Sequence, residues 1–281
     1  MRNLVLVKGG GDLATGVAHR LCRSGFPVAM TEIARPTVIR RPVAFAEAVF
    51  DGCHEVEGIT ARLAAGLPEA RAILDGGEIP VLIDPRAEAA LQLKPAAVVD
   101  AIMAKRNTGT RITDALLVIG LGPGFTAGVD VHAVVETNRG HDLGRVILGG
   151  GAEPDTGTPG LIAGYGRERL IRAPADGVFE SVAAIGSLVE AGETLGTVAG
   201  CPVTAPIGGV LRGLIRDGVT VRRGQKMGDV DPRRRVEYCY TISDKARAIA
   251  GGVLEAVLML GRIGPLASTG SLLQRGKAIP R

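Results

Sequence analysis

Residues 173–198 and 205–230 are two copies of one sequence pattern, offset throughout by 32 positions. Each copy begins with Ala-Pro, has Gly-Val four residues later, and keeps matching Gly and Val residues up to Val198 or Val230. A stretch of about 26 residues with glycine at its turns is too short to bury a face by itself. We therefore predict that the two copies interlock in one small β barrel or sandwich.

The first 170 residues alternate short apolar runs with helix-like segments. Helices are predicted at residues 13–24, where apolar residues recur every four positions, and at residues 59–74, with a break at Pro68. Continuous apolar strands separated by helices are typical of a parallel sheet that is covered on both faces. The apolar runs that predict strands are residues 4–7, 27–32, 80–84, 96–100 and 115–119.

The expected fold class is therefore α/β, in three parts. Residues 1–170 are expected to form a Rossmann-like parallel-sheet domain that binds a nucleotide or phosphate. Residues 171–232 are expected to form a small β barrel-sandwich domain, and residues 233–281 a C-terminal helix and tail. Ser243 is a suitable N-cap for that helix, and the pair Gly251-Gly252 within it predicts close packing on a neighbour.

The composition argues against several classes of partner. Lys and Arg total 33 against 29 Asp and Glu, and the net charge of +4 is too small to indicate a nucleic acid or a membrane surface. Trp is absent and aromatic residues make up 3%, which nearly excludes stacking platforms for bases. The four cysteines form no CxxC pair and do not indicate a disulfide framework. With no signal peptide before the first strand, we expect a soluble, cytoplasmic protein.

A glycine-rich turn between the first strand and the first helix carries the main binding hypothesis. Gly9-Gly10-Gly11 followed by Ala14 matches the dinucleotide-binding pattern, in which glycine permits close approach of the backbone to phosphate. Glu32 ends the next strand, where an acid would hold a ribose hydroxyl. Asp12 argues the other way, because its carboxylate occupies the place of a pyrophosphate. The alternative is a glycine turn with Asp12 as the helix cap.

Two later loops are expected to supply further groups for an anion at the same edge of the sheet. One is a second glycine-rich turn whose amides and hydroxyl can surround an anion, and the other offers two cations and an amide. The alternative for the cations is that they are solvated loop charges. The residues predicted to bind the cofactor are Gly122, Gly124 and Thr126 in the first loop and Lys105, Arg106 and Asn107 in the second.

A polar loop near residue 140 is the candidate for catalytic chemistry. Arg139 and His141 follow an alternating apolar run, and we predict an anion clamp at Arg139 and an acid or base at His141. A single histidine in a loop is more often structural or merely exposed. His19 and His54 lack the spacing of metal ligands, so no metal site is predicted.

Several linked motifs occur across residues 1–260, among them GGGDLATG, AKRNTGT, GLGPGFTAG, ETNRGHDLG and ISDKARAIAGGVLEA. In these motifs the chain resembles the YqeB family of selenium-dependent molybdenum hydroxylase system proteins. The resemblance implies an accessory role in maturing or supplying such hydroxylases, with the hydroxylase or its maturation machinery as partner. Looser similarity to xanthine dehydrogenase accessory proteins implies molybdopterin dinucleotide or another nucleotide as the ligand.

The repeat region is similar to biotinyl and lipoyl carrier domains, whose two halves share its Ala-Pro and Gly-Val pattern. Those carriers present a modifiable lysine between the halves, whereas residues 199–204 contain none, so neither biotin nor lipoate is expected. Cys201 lies in that connection, where a thiolate could carry a labile sulfur or selenium atom. The alternative is that Cys201 is a small buried apolar residue.

Three functions from different classes remain open. The leading hypothesis is a maturation factor that holds a phosphate-bearing cofactor at the edge of the sheet. The others are an NAD(P)-dependent oxidoreductase, favoured by the glycine turn and Glu32, and a non-catalytic scaffold that joins partner proteins. The sequence leaves open whether the chain is an enzyme and whether it forms a homo-oligomer.

Overall fold

The structure, a computed structural model, describes residues 3–261. The tail predicted at the C-terminus lies outside these residues. None of the described helices is long and apolar enough to cross a membrane. The strands are β1 (Val5–Lys8), β2 (Val28–Glu32), β3 (Cys53–Val56), β4 (Ile59–Ala64), β5 (Ile79–Ile83), β6 (Ala97–Asp100), β7 (Leu117–Leu121), β8 (Ala133–Val135), β9 (Val146–Ile147), β10 (Leu170–Arg172), β11 (Gly177–Ser181), β12 (Leu188–Val189), β13 (Thr194–Val198), β14 (Cys201–Thr204), β15 (Gly209–Leu214), β16 (Thr220–Val221) and β17 (Lys226–Asp231). The α-helices are α1 (Asp12–Arg23), α2 (Ala48–Asp51), α3 (Leu67–Asp75) and α4 (Asp244–Leu260).

One large sheet occupies the first half of the described chain, with its nine strands in the order β3-β4-β5-β2-β1-β6-β7-β8-β9. Strand β1 lies at its centre and pairs in parallel with β2 and β6, with Val5 opposite both Val28 and Ala97. The outer strands β3 and β9 are antiparallel to β4 and β8. The sheet is therefore mixed, and the prediction of a Rossmann-like parallel sheet is wrong.

The hairpin of β3 and β4 accounts for part of this error. The sequence predicts a helix over residues 59–74, but the first six of these residues form β4, and α3 begins later with Pro68 in its first turn. Glu57 and Gly58 both have positive φ and make the tight turn of the hairpin. Because β4 pairs with β3 on one side and β5 on the other, its backbone hydrogen bonds override the helix propensity of its alanine and leucine residues.

The connections after β6 and β7 are loops and contain no α-helix. Phe125 and Val131, from the loop after β7, cover one face of the sheet together with Ile73 of α3. The other face is covered by α1 and α4. The helices expected after β6 and β7 are therefore absent. Buried residues of these loops cover the sheet in their place.

The repeat region forms two four-stranded antiparallel sheets, ordered β10-β17-β15-β12 and β14-β13-β11-β16. Each short strand pairs with the other repeat copy, β12 with β15 and β16 with β11. The sheets share one core that includes Phe179, Leu195 and Leu211. The expected biotinyl/lipoyl-like barrel-sandwich domain is wrong, because β10 and β14, which lie outside the repeat, complete two separate sheets.

The last described helix, α4, returns to the large sheet. Ser243 is its N-cap, as predicted, and the Ser243 Oγ accepts a hydrogen bond of 3.2 Å from the Ala246 N–H. Helix α4 packs on α1 where Gly16 meets Ala246, and Gly252 lies against the backbone of Gly144. The close packing predicted for the glycine pair is confirmed at Gly252, where a Cβ would have no room.

Residues 33–47 connect the large sheet to the small ones. The Leu214 N–H donates a hydrogen bond of 2.9 Å to the Ile39 carbonyl, and Arg41 Nε donates one of 2.8 Å to the Leu214 carbonyl. Arg216 reaches back to the Asp51 carboxylate, with an N–O distance of 2.6 Å. Strand β15 is thereby held beside the carboxyl edge of the large sheet.

Candidate functional site

Loops from the carboxyl ends of β6, β7 and β8 meet at one edge of the large sheet. A Cβ on Gly124 would lie 2.5 Å from the Arg106 Cα, and Gly122 packs equally closely on the Thr137 hydroxyl. The Gly122 amide is already used, because it donates to the Val135 carbonyl at 2.9 Å. The structure thus brings the three predicted loops together, and these glycines allow the loops to touch.

The loop after β6 is held by its own side chains. Asn107 Oδ1 accepts two backbone hydrogen bonds of 2.8 Å, and Asn107 Nδ2 donates another of 2.8 Å to the Thr110 carbonyl. Lys105 Nζ is 2.6 Å from the Asp155 carboxylate. Arg106 is exposed and makes no ion pair with any residue in the range 3–261. Asn107 therefore shapes the loop, and Arg106 keeps its charge available.

A buried polar chain beneath this loop was not anticipated from the sequence. Lys8, at the end of β1, donates to the Thr110 hydroxyl at 2.5 Å, and that hydroxyl donates to the Asp100 carboxylate at 2.5 Å. Lys8 Nζ also lies 3.6 Å from Asp100, and all three side chains are buried. Strand ends carrying Lys and Asp were the available signal, but nothing in the spacing of the residues links them to Thr110.

The carboxylate of Glu32 occupies the first glycine turn. It accepts hydrogen bonds from the Gly10 N–H at 2.8 Å and from the Ile33 N–H at 2.7 Å. Burial raises the pKa of Glu32, and these two hydrogen bonds oppose that shift. Glu32 lies where the sequence predicts it, but its carboxylate binds the turn itself and is not free for a ribose hydroxyl.

Of the three glycines in this turn, Gly11 has the most room. A Cβ on Gly9 or Gly10 would lie 3.0 Å or less from the backbone of a neighbouring segment, whereas one on Gly11 would have no neighbour closer than 3.8 Å. Helix α1 begins at Asp12 without a side-chain cap, which removes the alternative in which Asp12 caps the helix. The Asp12 carboxylate instead lies 3.5 Å from Arg40, and Ala14 is buried.

A second carboxylate fills the turn after β8. The buried Glu136 side chain accepts hydrogen bonds of 2.7 Å from the Thr137 and Asn138 amides and one of 2.8 Å from the Glu153 amide. The Asn138 side chain also binds the Glu153 carboxylate. This turn is therefore stabilised by its own acid, and it holds residues 153–155 against the loop.

The two residues predicted to be catalytic in this loop differ in their surroundings. Arg139 forms a bidentate salt bridge with Asp244, which raises the pKa of Arg139 and lowers that of Asp244 to about 2. His141 is exposed and has no hydrogen bond or ion pair with the rest of the described chain. Thr126 is also exposed, and its amide donates to the Asp130 carboxylate at 2.9 Å.

Lys245, which the sequence analysis missed, lies at this edge in the first turn of α4. It is half-buried, and its ammonium has no hydrogen-bond or ion-pair partner among residues 3–261. Burial and the nearby charge of Arg139 lower its pKa, while Asp12 and Glu136 oppose the shift. A lysine in the first turn of a helix, against the helix dipole, was the sequence signal that could have identified it.

More cations lie where the small sheet that contains β15 and β17 meets this edge. Arg40 and Arg212 both donate to the Tyr238 carbonyl, at 2.8 and 3.4 Å, and each side chain is about 10% exposed. Arg212 and Arg233 share the buried carboxylate of Asp231, at 3.4 and 2.6 Å. Burial, with help from the charge of Arg40, lowers the pKa of Arg212. The edge is therefore rich in positive charge.

Cys201 lies elsewhere, exposed at the start of β14. No hydrogen bond or salt bridge of the described residues joins β14 to residues 3–170. The alternative of a buried apolar cysteine is wrong, because Cys201 is exposed. No group of three or more His, Cys, Asp or Glu side chains suited to a metal ion occurs within residues 3–261.

Solved structures resemble the chain only loosely. Product-bound ectoine utilization protein EutE (DoeB) from Ruegeria pomeroyi is 11% identical, with a TM-score of 0.25. A succinylglutamate desuccinylase/aspartoacylase from Rhodobacter sphaeroides is 16% identical and an aspartoacylase family protein from Mesorhizobium loti is 11% identical, each with a TM-score of 0.27. Each comparison covers 82% of this chain and 85% of the other. Similarity at this level carries no argument about activity.

The sequence relationship is much stronger. No protein-family model matches the chain. Over 257 residues, 92% of its length, the chain is 52% identical to the uncharacterized protein YqeB of Escherichia coli strain K12. It spans about half, 48%, of that relative's own length. Neither YqeB nor the solved structures above are named for selenium or molybdenum. On this identity, the chain belongs to the YqeB family.

Proposed function

We propose that this chain binds a small phosphate-bearing anion at the carboxyl edge of the large sheet, with Lys245 as the cation that contacts it. The observation that carries the proposal is the ammonium of Lys245, which is half-buried and lacks a partner within residues 3–261. The neighbouring cations Arg139 and Lys105 are both paired, with Asp244 and Asp155. Lys245 is thus available to an anion from outside the chain.

Lys245 lies where a cation destabilises the ligand-free protein. It follows Asp244 in the first turn of α4, where the positive end of the helix dipole disfavours a cation. Burial and the charge of Arg139 act in the same direction and lower its pKa. A cation kept where three effects disfavour it is typical of a binding site, because the attraction of a bound anion offsets their cost.

The start of α1 supports phosphate as the anion. Helix α1 begins at Asp12, and its N-cap residue Gly11 makes no side-chain cap and has open space beside it. Its first amides have no partner within the helix, and such amides suit phosphate oxygens. Gly16 of α1 packs against Ala246 of α4, so the N-terminal parts of the two helices lie close together. Phosphate can accept from both.

The glycine turn at residues 9–11 argues against the NAD(P)-dependent oxidoreductase. A dinucleotide needs the glycine backbone exposed and the acid free for the ribose. In this chain the Gly10 amide is bound by Glu32, and Gly10 is covered by the backbone of Ala46. A small anion beside Gly11 requires neither group to move.

Isothermal titration calorimetry with inorganic phosphate tests the proposal. Lys245→Met should weaken binding about tenfold or more, because one charge-assisted hydrogen bond is worth roughly 1.5–3 kcal/mol. Lys94→Met is the matched control, since Lys94 is an exposed lysine just before β6, at the opposite edge of the sheet. Equal affinities of wild type and Lys245→Met overturn the proposal, and absence of binding by wild type favours the scaffold alternative.

The accessory role in maturing selenium-dependent molybdenum hydroxylases stays a prediction from the family resemblance. Its partner would be the hydroxylase or its maturation machinery. Affinity purification of the tagged chain from cells grown with and without selenium and molybdate checks it. Recovery of the same proteins under all conditions, none of them a hydroxylase or a maturation protein, contradicts the role.

A further inference from the structure

The segment from Val38 to Arg40 lies beside the start of helix α1. A Cβ on Gly11 would be 3.8 Å from Val38 Cγ1, and Arg40 Nη1 donates a hydrogen bond of 3.5 Å to the Asp12 carboxylate. Asp12 is the first residue of α1, and the first amides of a helix have no partner within it. Arg40 thus brings a positive charge into direct contact with this helix start.

Arg40 also contacts the segment that leads into α4. Arg40 Nη2 donates hydrogen bonds of 2.8 Å to the Tyr238 carbonyl and 3.1 Å to the Thr241 carbonyl. Thr241 closely precedes Ser243, the N-cap of α4, and Lys245 follows in the first turn of that helix. One guanidinium therefore lies between the start of α1 and the approach to α4.

The guanidinium of Arg40 is buried without a full set of partners. Its side chain is 10% exposed, and its Nε has no hydrogen-bond partner in the described part of the chain. Buried donors of this kind are nearly always paired in proteins. Within residues 3–261, Nη1 contacts only Asp12, at the outer limit of a hydrogen bond. Arg106, by contrast, is exposed, so water can satisfy its donors.

The surroundings of Arg40 hold more positive than negative charge. Arg212 Nε lies 3.4 Å from the carbonyl oxygen that Arg40 also binds. The carboxylate partner of Arg212 is Asp231, which is shared with Arg233. These three guanidinium groups thus have two carboxylates between them, those of Asp231 and Asp12. A further anion at Arg40 is favoured by this imbalance.

We infer that Arg40 is a second cation of the phosphate site, and that the Asp12 carboxylate occupies the anion's place in the ligand-free protein. The bound phosphate displaces Asp12 and accepts hydrogen bonds from Arg40 Nη1 and from the first amides of α1. Asp12 is 34% exposed, so its carboxylate can turn into water. Phosphate carries more charge and more acceptor oxygens than a carboxylate, which favours this exchange. The inference rests on the proposed function, because the anion is the one that Lys245 contacts.

Calorimetry with inorganic phosphate tests the exchange through a gain and a loss of affinity. Asp12→Asn should strengthen phosphate binding about threefold, because it removes an acid that competes for Arg40. Arg40→Met should weaken binding about tenfold, the loss of one charge-assisted contact. Asp75→Asn is the matched control and should have little effect. Asp75 is an exposed acid at the end of α3, before β5 and so at the opposite edge of the sheet.

The double variant separates displacement of Asp12 from a general effect of its charge. When Arg40 is already Met, Asp12→Asn should lose most of its gain, because there is no guanidinium left to release. A gain of the same size in both backgrounds overturns the exchange. Unfolding midpoints are measured alongside, since Arg40→Met also loses two carbonyl contacts. The gain expected for Asp12→Asn alone does not depend on the stability of Arg40→Met.

The results also separate this inference from the proposed function. If Asp12→Asn binds phosphate no better than wild type or Asp75→Asn does, the inference is overturned. The proposed phosphate site then still stands, provided that Lys245→Met weakens binding. If Lys245→Met leaves the affinity unchanged, the proposed function itself fails.

Discussion

Arg139 and Asp244 form a bidentate salt bridge between positions 105 residues apart, with Nη1–Oδ2 and Nη2–Oδ1 distances of 2.7 and 3.1 Å. It joins the loop after β8 to the first residue of α4. Planar pairing of this kind fixes orientation as well as distance. The pair therefore sets the direction in which α4 begins, and with it the place of Lys245.

Asp244→Asn should lower the free energy of unfolding by about 0.5–1 kcal/mol at neutral pH, a value reduced because the carboxylate is 72% exposed. The folded pKa of Asp244 is about 2, below its ordinary 3.8, so this contribution is present above pH 3.8 and is lost as pH falls through about 2. Urea unfolding of both proteins across this range measures it. A difference that stays constant down to the lowest pH contradicts the assignment.

Lys245→Glu should stabilise the ligand-free protein by about 0.3–1 kcal/mol, since an acid suits the first turn of a helix and a base does not. The same variant should lose phosphate binding. Thermal unfolding without phosphate, then calorimetry with it, measures the two effects. Lys94→Glu serves as the control and should change neither by much. A destabilised Lys245→Glu shows instead that the lysine supports the fold.

Phosphate affinity should fall with rising pH at a lower pH than an ordinary lysine titrates. Lys245 binds an anion when protonated, and its pKa lies below the ordinary 10.5, so affinity is lost as pH rises through that lowered value. Lys245→Arg keeps its charge and should remove this part of the pH dependence. Matching profiles for wild type and Lys245→Arg exclude Lys245 as the titrating group. The charged groups that face Lys245 are Arg139, Lys226, Asp12, Glu136 and Asp155.

Gly124→Ala should be much more destabilising than Gly128→Ala. Both glycines have positive φ, +107° and +83°, so each substitution incurs a backbone cost of roughly 1–2 kcal/mol. A Cβ on Gly124 would also meet the Arg106 backbone at 2.5 Å, whereas nothing lies within 4 Å of one on Gly128. We expect an additional 1–3 kcal/mol or so for Gly124→Ala by urea unfolding. Equal losses would show that the loops do not need this contact.

The repeat and helix α4 could be predicted from the sequence, because each has a strong local signal. The offset of 32 residues matches β11 with β15, β12 with β16 and β13 with β17. Ser243 marked the start of α4 through its capping hydroxyl. The pairing of each short strand with the other repeat copy could not be predicted from the sequence. It depends on which strand edges lie side by side in the folded chain.

The large sheet and the site depended on contacts between distant residues. Residues 59–64 have a composition that suits a helix, and only pairing on both sides makes them a strand. The proximity of Glu32 to the glycine turn was predictable, but its capture of the Gly10 amide was not. Lys245 comes to the edge because α4 crosses back over α1, and no local pattern predicts that.

The packing of α4 on α1 has a consequence for synthesis on the ribosome. Helix α1 emerges before α4, and its partner surface around Ala246 is translated only after both small sheets. Until then the side of α1 that packs on α4 has no cover, and such intermediates aggregate readily. A nascent chain of this family is therefore expected to bind a chaperone until α4 has emerged from the ribosome.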